Sequence, residues 1–214
     1  MYGLSMEWQR CPDGVELATY EPEGVEPGAT LLTGGTGKAG KWFRCRSRER
    51  ASVQYEVTDL ENPISMHFLN ARDDDARIAF LSRFGMRLDE AEEDRGVFVE
   101  RQKALFRLFE RWNDGASSVA DINKMIGSVS LTPSFDLLGP QRQRRMFLRP
   151  QNLWQFMCME VSIAAANDTK LATCEHCSKV FLTGPLTGRR SHAKYCSDRC
   201  RVAAMRKRNA EAKH

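Results

Sequence analysis

Apolar positions change their period along this chain. Up to about residue 60 they fall in short β-branched and aromatic runs, Val15 to Tyr20, Lys41 to Arg46 and Val53 to Val57, set between Gly and Pro, which predicts strands joined by turns. From about 62 to 168 the spacing becomes helical. Ile78, Leu81 and Phe84 recur at every third position, with Asp73 to Asp75 giving acidic cover at the helix start and Gly85 as C-cap. Val99, Gln102, Leu105, Phe106, Phe109 and Trp112 predict a longer helix ending at Asn113 to Gly115, and Val119, Ile122, Met125 and Ile126 a short third one that starts after Ser117 or Ser118. Between 128 and 149 the apolar pieces are brief and are separated by Pro133 and Gly139-Pro140, which predicts a hairpin. Pro150 is expected in the first turn of one more helix, which places Leu153, Phe156, Met157, Val161 and Ala164 on one side and ends near Asn167-Asp168. Stripes of this kind read as core rather than as a ligand pocket.

The chain has 214 residues, 42% of them hydrophobic and 28% charged, which excludes a collagenous or wholly disordered polymer and implies a buried core. Its longest apolar stretches, such as Val161 to Ala166, fall far short of the roughly 18 residues of a membrane span, and Met1 to Met6 lacks a basic start followed by an apolar run. The expectation is a soluble, cytoplasmic protein with no membrane contact. Charge is divided unevenly. From Lys179 onward ten basic residues face only Asp198 and Glu211, so this tail carries +8 and the remainder, within a total of +4, carries −4. A basic tail on an acidic body implies a polyanionic partner.

Two motifs invite a chemical reading. The run Gly34-Gly35-Thr36-Gly37-Lys38-Ala39-Gly40 lacks the Gly five residues before its Gly-Lys pair and the Ser or Thr after it, with Leu32 and Ala39 in those places, so it reads as a flexible hairpin tip and not as a phosphate loop. The cysteines carry more. Four of the seven form Cys174-x2-Cys177 and Cys196-x3-Cys200 with eighteen residues between the pairs, inside a short charged segment that has little core of its own. A C-x2-C turn brings two sulfurs to one ion and the second pair closes a tetrahedron, so the expectation is one structural Zn2+ held by Cys174, Cys177, Cys196 and Cys200. His176 and His192 lie close by; four thiolates are preferred, with His192 as the better substitute. A closed four-thiolate site leaves no position for water or substrate, which argues against a catalytic metal. Cys11, Cys45 and Cys158 are expected to be buried thiols, since an odd cysteine count without an export signal argues against a disulfide framework.

A turn-forming knuckle, a hairpin through Thr183 to Gly188 and a helix carrying the last two ligands describe a treble-clef-like finger, with Phe181, Tyr195, Val202 and Met205 as its small core. The expected class is therefore α+β: strands over 1–60, a mainly helical body over 61–169 and the finger over 170–214. Zinc with four thiolates carries about −2, which Arg189, Arg190, Lys194 and Arg199 can offset. Arg201, Arg206, Lys207, Arg208 and Lys213 run on along the helix and are expected to share a face suited to phosphates. The nucleic-acid contacts are accordingly assigned to Arg189, Arg190, Arg201, Arg206, Lys207 and Arg208. Arg142, Arg144 and Arg145, and Arg44, Arg46, Arg48 and Arg50, read as solvated edges, and His67 as a packed helix residue.

Cys174-Glu175-His176-Cys177, Phe181, Gly188-Arg189-Arg190, Tyr195-Cys196 and Cys200 together resemble the CGNR zinc-finger family, and Phe68-Leu69-Asn70-Ala71 resembles an early Phe-x-Asn-Thr motif of its helical ABATE domain. The resemblance covers roughly residues 62 to 210. Here Arg201-Val202-Ala203 follows Cys200 where the family has Gly-Asn-Arg, and the second pair is spaced by three residues in place of four. It implies a bacterial transcription regulator whose finger follows the helical domain. The expected function is thus DNA binding through the tail, with a small-molecule or protein effector at the helical body and, by analogy, a homodimer; the alternative is a protein-interaction adaptor. No paired carboxylates with a partner His and no nucleophile motif point to an enzyme.

Overall fold

The computed structural model describes residues 3–20, 40–57, 59–87, 92–113, 119–138 and 143–211. Its architecture is α+β. Strands β1 (Gly3–Arg10), β2 (Val15–Tyr20), β3 (Gly40–Cys45) and β4 (Ala51–Val57) come first, followed by helices α1 (Ile64–Asn70) and α2 (Asp74–Phe84). Then come β5 (Glu92–Asp94), α3 (Arg95–Asn113), α4 (Val119–Ile126), β6 (Leu131–Leu138), β7 (Gln143–Pro150) and α5 (Leu153–Ala166), and finally β8 (Lys170–Thr173), β9 (Val180–Thr183) and α6 (Asp198–Glu211). No helix among the described residues is long and apolar enough to cross a membrane.

The strands form three sheets, ordered β4-β1-β7-β6, β2-β3-β5 and β8-β9. In the first, β1 runs antiparallel to β4 from Leu4 opposite Val57 to Arg10 opposite Ala51, and parallel to β7 at Gly3 and Leu4. This sheet spans residue 60, and β5 extends β2-β3 in the same way, at Trp42 to Arg44. The segment 61–169 therefore carries, among the described residues, three strands, β5 to β7, besides its five helices. Strand β1 has no β-branched residue to announce it; Leu4, Ser5 and Met6 are all buried, and only from Met6 on do buried Met6 and Trp8 alternate with exposed Glu7 and Gln9. Pro150 is also placed differently from expectation. It ends β7 opposite Leu131, and Asn152 caps α5 by accepting the Gln155 N–H at 2.9 Å. Asn is a strong cap, and proline's missing N–H is harmless at a strand end.

Aromatic rings fill the centre. Phe68 of α1, fully buried, lies 4.7 Å from Phe98, 5.5 Å from Phe80 and 6.1 Å from Trp154, so α1, α2, α3 and α5 meet on one residue. Gly85 caps α2 with φ 93°, and a Cβ there would collide with the Gln9 carbonyl, so the site excludes any side chain. Gln102 of α3 donates to the carbonyls of Phe68 and Ala71, closing the end of α1. Cys11 and Cys45 are not separate thiols as expected but a disulfide, Cα to Cα 5.7 Å, which lies in the range a bridge requires. The tight turn after β1, with Gly14 N–H on the Cys11 carbonyl, carries Cys11 over to the end of β3; thirty-four residues of separation hide this in sequence. Cys158 is a buried free thiol, and burial pushes its pKa up to about 12. His67 packs half-buried against Phe84 at 5.2 Å, and burial and then Arg83 and Lys179 hold its pKa down. The glycine-rich run at 34–39, the start of α4 at Ser117 and Ser118, Arg142 and Lys213 lie outside the described residues, and the side chains of Arg144 and Arg145 likewise. Arg44 pairs across strands with Glu16 at 2.7 Å.

Glu160 of α5 is the least expected buried group. Its Oε1 accepts the Ile64 N–H at 2.9 Å and its Oε2 the Ser65 N–H at 2.7 Å, so it caps α1 from another helix where Pro63 offers no side-chain cap. Burial raises its pKa to about 7, against the opposing pull of those two N–H groups. Glu160→Gln leaves one donor facing an amide NH2 and is expected to cost about 1–3 kcal/mol in urea unfolding. An unfolded Glu titrates near about 4.3, so between that value and about 7 the native state holds the extra proton and stability falls as pH rises. The gap between wild type and Glu160→Gln should narrow from about pH 4.5 to about pH 7 and stay level above that. A constant gap would contradict the raised pKa.

Candidate metal centre

The finger is built on the body, not beside it. Strand β9 is buried at all four positions, and Leu171, Val180 and Leu182 belong to the main core. Asn70, the last residue of α1, treats β9 as a neighbouring strand would. Its Nδ2 donates to the Val180 carbonyl at 2.8 Å and its Oδ1 accepts the Val180 N–H at 2.9 Å. Leu60 N–H donates to the Leu186 carbonyl, and Arg72 to that of Ser178. The Phe68-to-Ala71 motif thus joins core to finger: Phe68 anchors the helix and Asn70 holds the strand.

Between β8 and β9 the chain turns through the first cysteine pair. Cys174 N–H donates to Lys179 O and Ser178 N–H to Cys174 O, both at 2.9 Å, with Ser178 in the left-handed region at φ 58° that lets the chain reverse. Glu175 N–H reaches Lys194 O at 3.0 Å and fastens this knuckle to the segment bearing the second pair. There Ser197 starts α6, its Oγ accepting the Cys200 N–H at 3.3 Å and its carbonyl the Arg201 N–H at 3.1 Å. The cap fixes Cys200 in the first turn, directed back at Cys196.

All four sulfurs lie within 4.8 Å of one another, and Cys196 is 3.6 Å from both Cys177 and Cys200. Thiolates at about 2.3 Å around a tetrahedral ion stand about 3.8 Å apart, so the cluster already has the dimensions of a four-thiolate site. His176 and His192 are both exposed and outside the cluster. The electrostatics agree. At Cys174 burial works against the thiolate, but N–H groups of Cys196, Cys177 and His176 outweigh it and lower the pKa to about 6. Burial and the neighbouring cysteines push Cys196 up to about 12, as expected of sulfurs crowded together without a cation. One metal ion can be held by Cys174, Cys177, Cys196 and Cys200.

The candidate nucleic-acid residues divide. Arg189 is engaged internally: its Nε donates to Cys196 O at 3.2 Å, its Nη1 to Glu61 O at 2.7 Å, and its guanidinium lies 5.8 Å from the Phe181 ring. It positions the second cysteine pair instead of facing solvent. Lys194 pairs with Glu175, Arg201 with Asp198 and Lys207 with Glu211. Arg190, Arg199, Arg206 and Arg208 are exposed, with no ion pair found for them among the described residues. Helix α6 buries no residue, and Met205 is 47% exposed, so it is no part of the finger core. Nor do its cations share one face. At about 100° per residue, Arg199 and Arg206 fall on one side and Arg201 and Arg208 on the other, with Lys207 between.

A cavity of about 370 Å³ lies between β4, the segment 59–64 and α5, lined among others by Tyr55, Glu56, Asn62, Phe156 and Glu160. Periodicity could not have found it, because its walls come from three separate elements. Asn70 and Glu160 likewise act across separate elements, whereas Ser197, three residues before Cys200, is a local cap signal that the sequence reading passed over. No protein-family model and no curated protein matches this chain.

Proposed function

We propose that this protein is a DNA-binding transcription regulator with one structural zinc ion. The observation that carries the reading is the four-sulfur cluster placed at the root of a solvent-exposed basic helix, which an ion at that cluster would fix in direction. Four soft sulfur donors in tetrahedral dimensions suit zinc, and with no open coordination position the ion has a structural rather than a catalytic role. The elements around it, a knuckle, a two-stranded hairpin and a helix, suit a treble-clef-like finger, and the resemblance to the CGNR zinc-finger family supports the same function. In such a regulator the cavity beside Glu160 is the place for an effector, since the segment 59–64 forms its wall and also binds Leu186 and Arg189 of the finger.

Titration of the metal-loaded chain into labelled duplex DNA, followed by fluorescence anisotropy at several salt concentrations, tests this. Binding should weaken with salt at a log-log slope of about −0.9 per phosphate neutralised and should vanish after chelation. Absence of binding at low salt, with an acidic protein bound in its place, would assign the finger to a protein-interaction adaptor.

A further inference from the structure

We infer that α6 lies lengthwise in the major groove of duplex DNA, clamped by one arginine row on each strand, with Met205 and Asn209 facing the base edges; this rests on the DNA-binding reading above. Around the helix axis Arg199 and Arg206 lie about 20° apart, as do Arg201 and Arg208, and the two rows are separated by roughly half a turn. Val202, Met205 and Asn209 occupy the arc between them on one side. Cys200, Lys207 and Glu211 occupy the opposite arc, and Cys200 points to the sulfur cluster, so that arc is turned toward the finger. The side bearing Met205 and Asn209 is the one turned away from the sulfur cluster, and beyond half-buried Val202 both residues are exposed.

This arrangement fits a groove and not a flat polyanionic surface. A helix with its side chains is about 10–12 Å wide and the major groove of B-form DNA about 12 Å, so a helix seated there has phosphates on both flanks. Cations on opposite sides of the helix meet both strands at once; against a flat surface one row would be wasted. The outward arc holds an apolar side chain suited to a thymine methyl group and an amide suited to the adenine N6 and N7 edge. Asp198, on the same arc at the helix start, is neutralised by Arg201 at 3.1 Å. Lys207, the middle cation of the basic run, is paired with Glu211 at 3.9 Å on the side away from the groove. A cation count would rank it with Arg206 and Arg208; the geometry removes it.

The test uses the full metal-loaded chain with a duplex selected from a random pool, read by anisotropy against salt. Every substituted position is exposed, and metal content and helical signal confirm that each variant is folded. Arg199→Ala with Arg206→Ala should reduce the salt slope by about 2, Arg201→Ala with Arg208→Ala by about 1 to 2 because Arg201 also pairs with Asp198, and Lys207→Ala should leave it unchanged. Asn209→Ala and Met205→Ala should keep the slope and lose roughly tenfold or more of the preference for the selected site over random duplex. Duplex binding that persists while Lys207→Ala matches Arg206→Ala, or while only one row alters the slope, would overturn the groove placement and leave the DNA-binding reading standing. No duplex binding by the wild type would overturn both.

Discussion

Removing the metal is expected to unfold residues 174–211 and to lower the melting temperature of the whole chain. Apart from β9, whose four residues are buried, this segment has little else to hold it. Phe181 is buried, Tyr195 and Val202 are only half-buried, and α6 has no buried residue, so its apolar surface cannot offset the entropy of ordering the segment. A structural zinc contributes about 10–16 kcal/mol of apparent binding energy in finger peptides, and an ion held at this cluster would add to folding in the same way. The loss should not stop at the finger. Leu171, Val180 and Leu182 sit in the main core, and β9 is tied to α1 through Asn70. Thermal unfolding followed by far-ultraviolet circular dichroism, with and without chelator, should show one cooperative transition in the loaded protein and a lower, broader one after stripping. Cys174→Ser, at a position 1% exposed, should behave like the stripped protein. An unchanged melting curve with metal analysis at zero would show that the cluster holds nothing structural.

Asn70→Ala is expected to destabilise the protein by about 2–5 kcal/mol, because it strands two buried backbone groups of Val180, each costing about 1–3 kcal/mol when unpaired. The Asn70 amide also donates to Met66 O at 2.8 Å, so the end of α1 loosens at the same time. Asn70→Asp should be no better, since its second oxygen would face the Val180 carbonyl. All four thiolates remain, so the variant should still bind one equivalent of metal. Hydrogen exchange gives the sharper readout: the Val180 amide, protected in wild type, should exchange much faster. A change below about 0.5 kcal/mol with that amide still protected would mean that Asn70 does not hold the finger to the body.

Most helices were legible because each depends on a local period. Ile78, Leu81 and Phe84 marked α2, with Gly85 confirmed as its end; Asp73, read only as acidic cover, is its cap and accepts the Ala76 N–H at 2.8 Å. Strands β2, β3 and β4 were readable from β-branched and aromatic runs, whereas β1 lacks β-branched residues and takes its place by pairing with β4 and β7. At the site the four-cysteine set followed from spacing alone, since two close cysteine pairs are local geometry, and the structure brings their sulfurs together. The sharing of one helical face by the basic residues was misjudged by a count of charges. The period of 3.6 was available in the sequence and separates Arg206 from Arg208 by more than half a turn.

The sequence by itself determined the α+β class, the four sulfurs and the charge contrast between tail and body, because these rest on composition and on contacts a few residues apart. Only the tertiary structure decided which strands share a sheet, the Cys11–Cys45 bridge, the capping of α1 by Glu160 and the grip of Asn70 on Val180. Those contacts join positions 34, 96 and 110 residues apart. Their partners are chosen by the way a common core packs, and no local pattern encodes that choice.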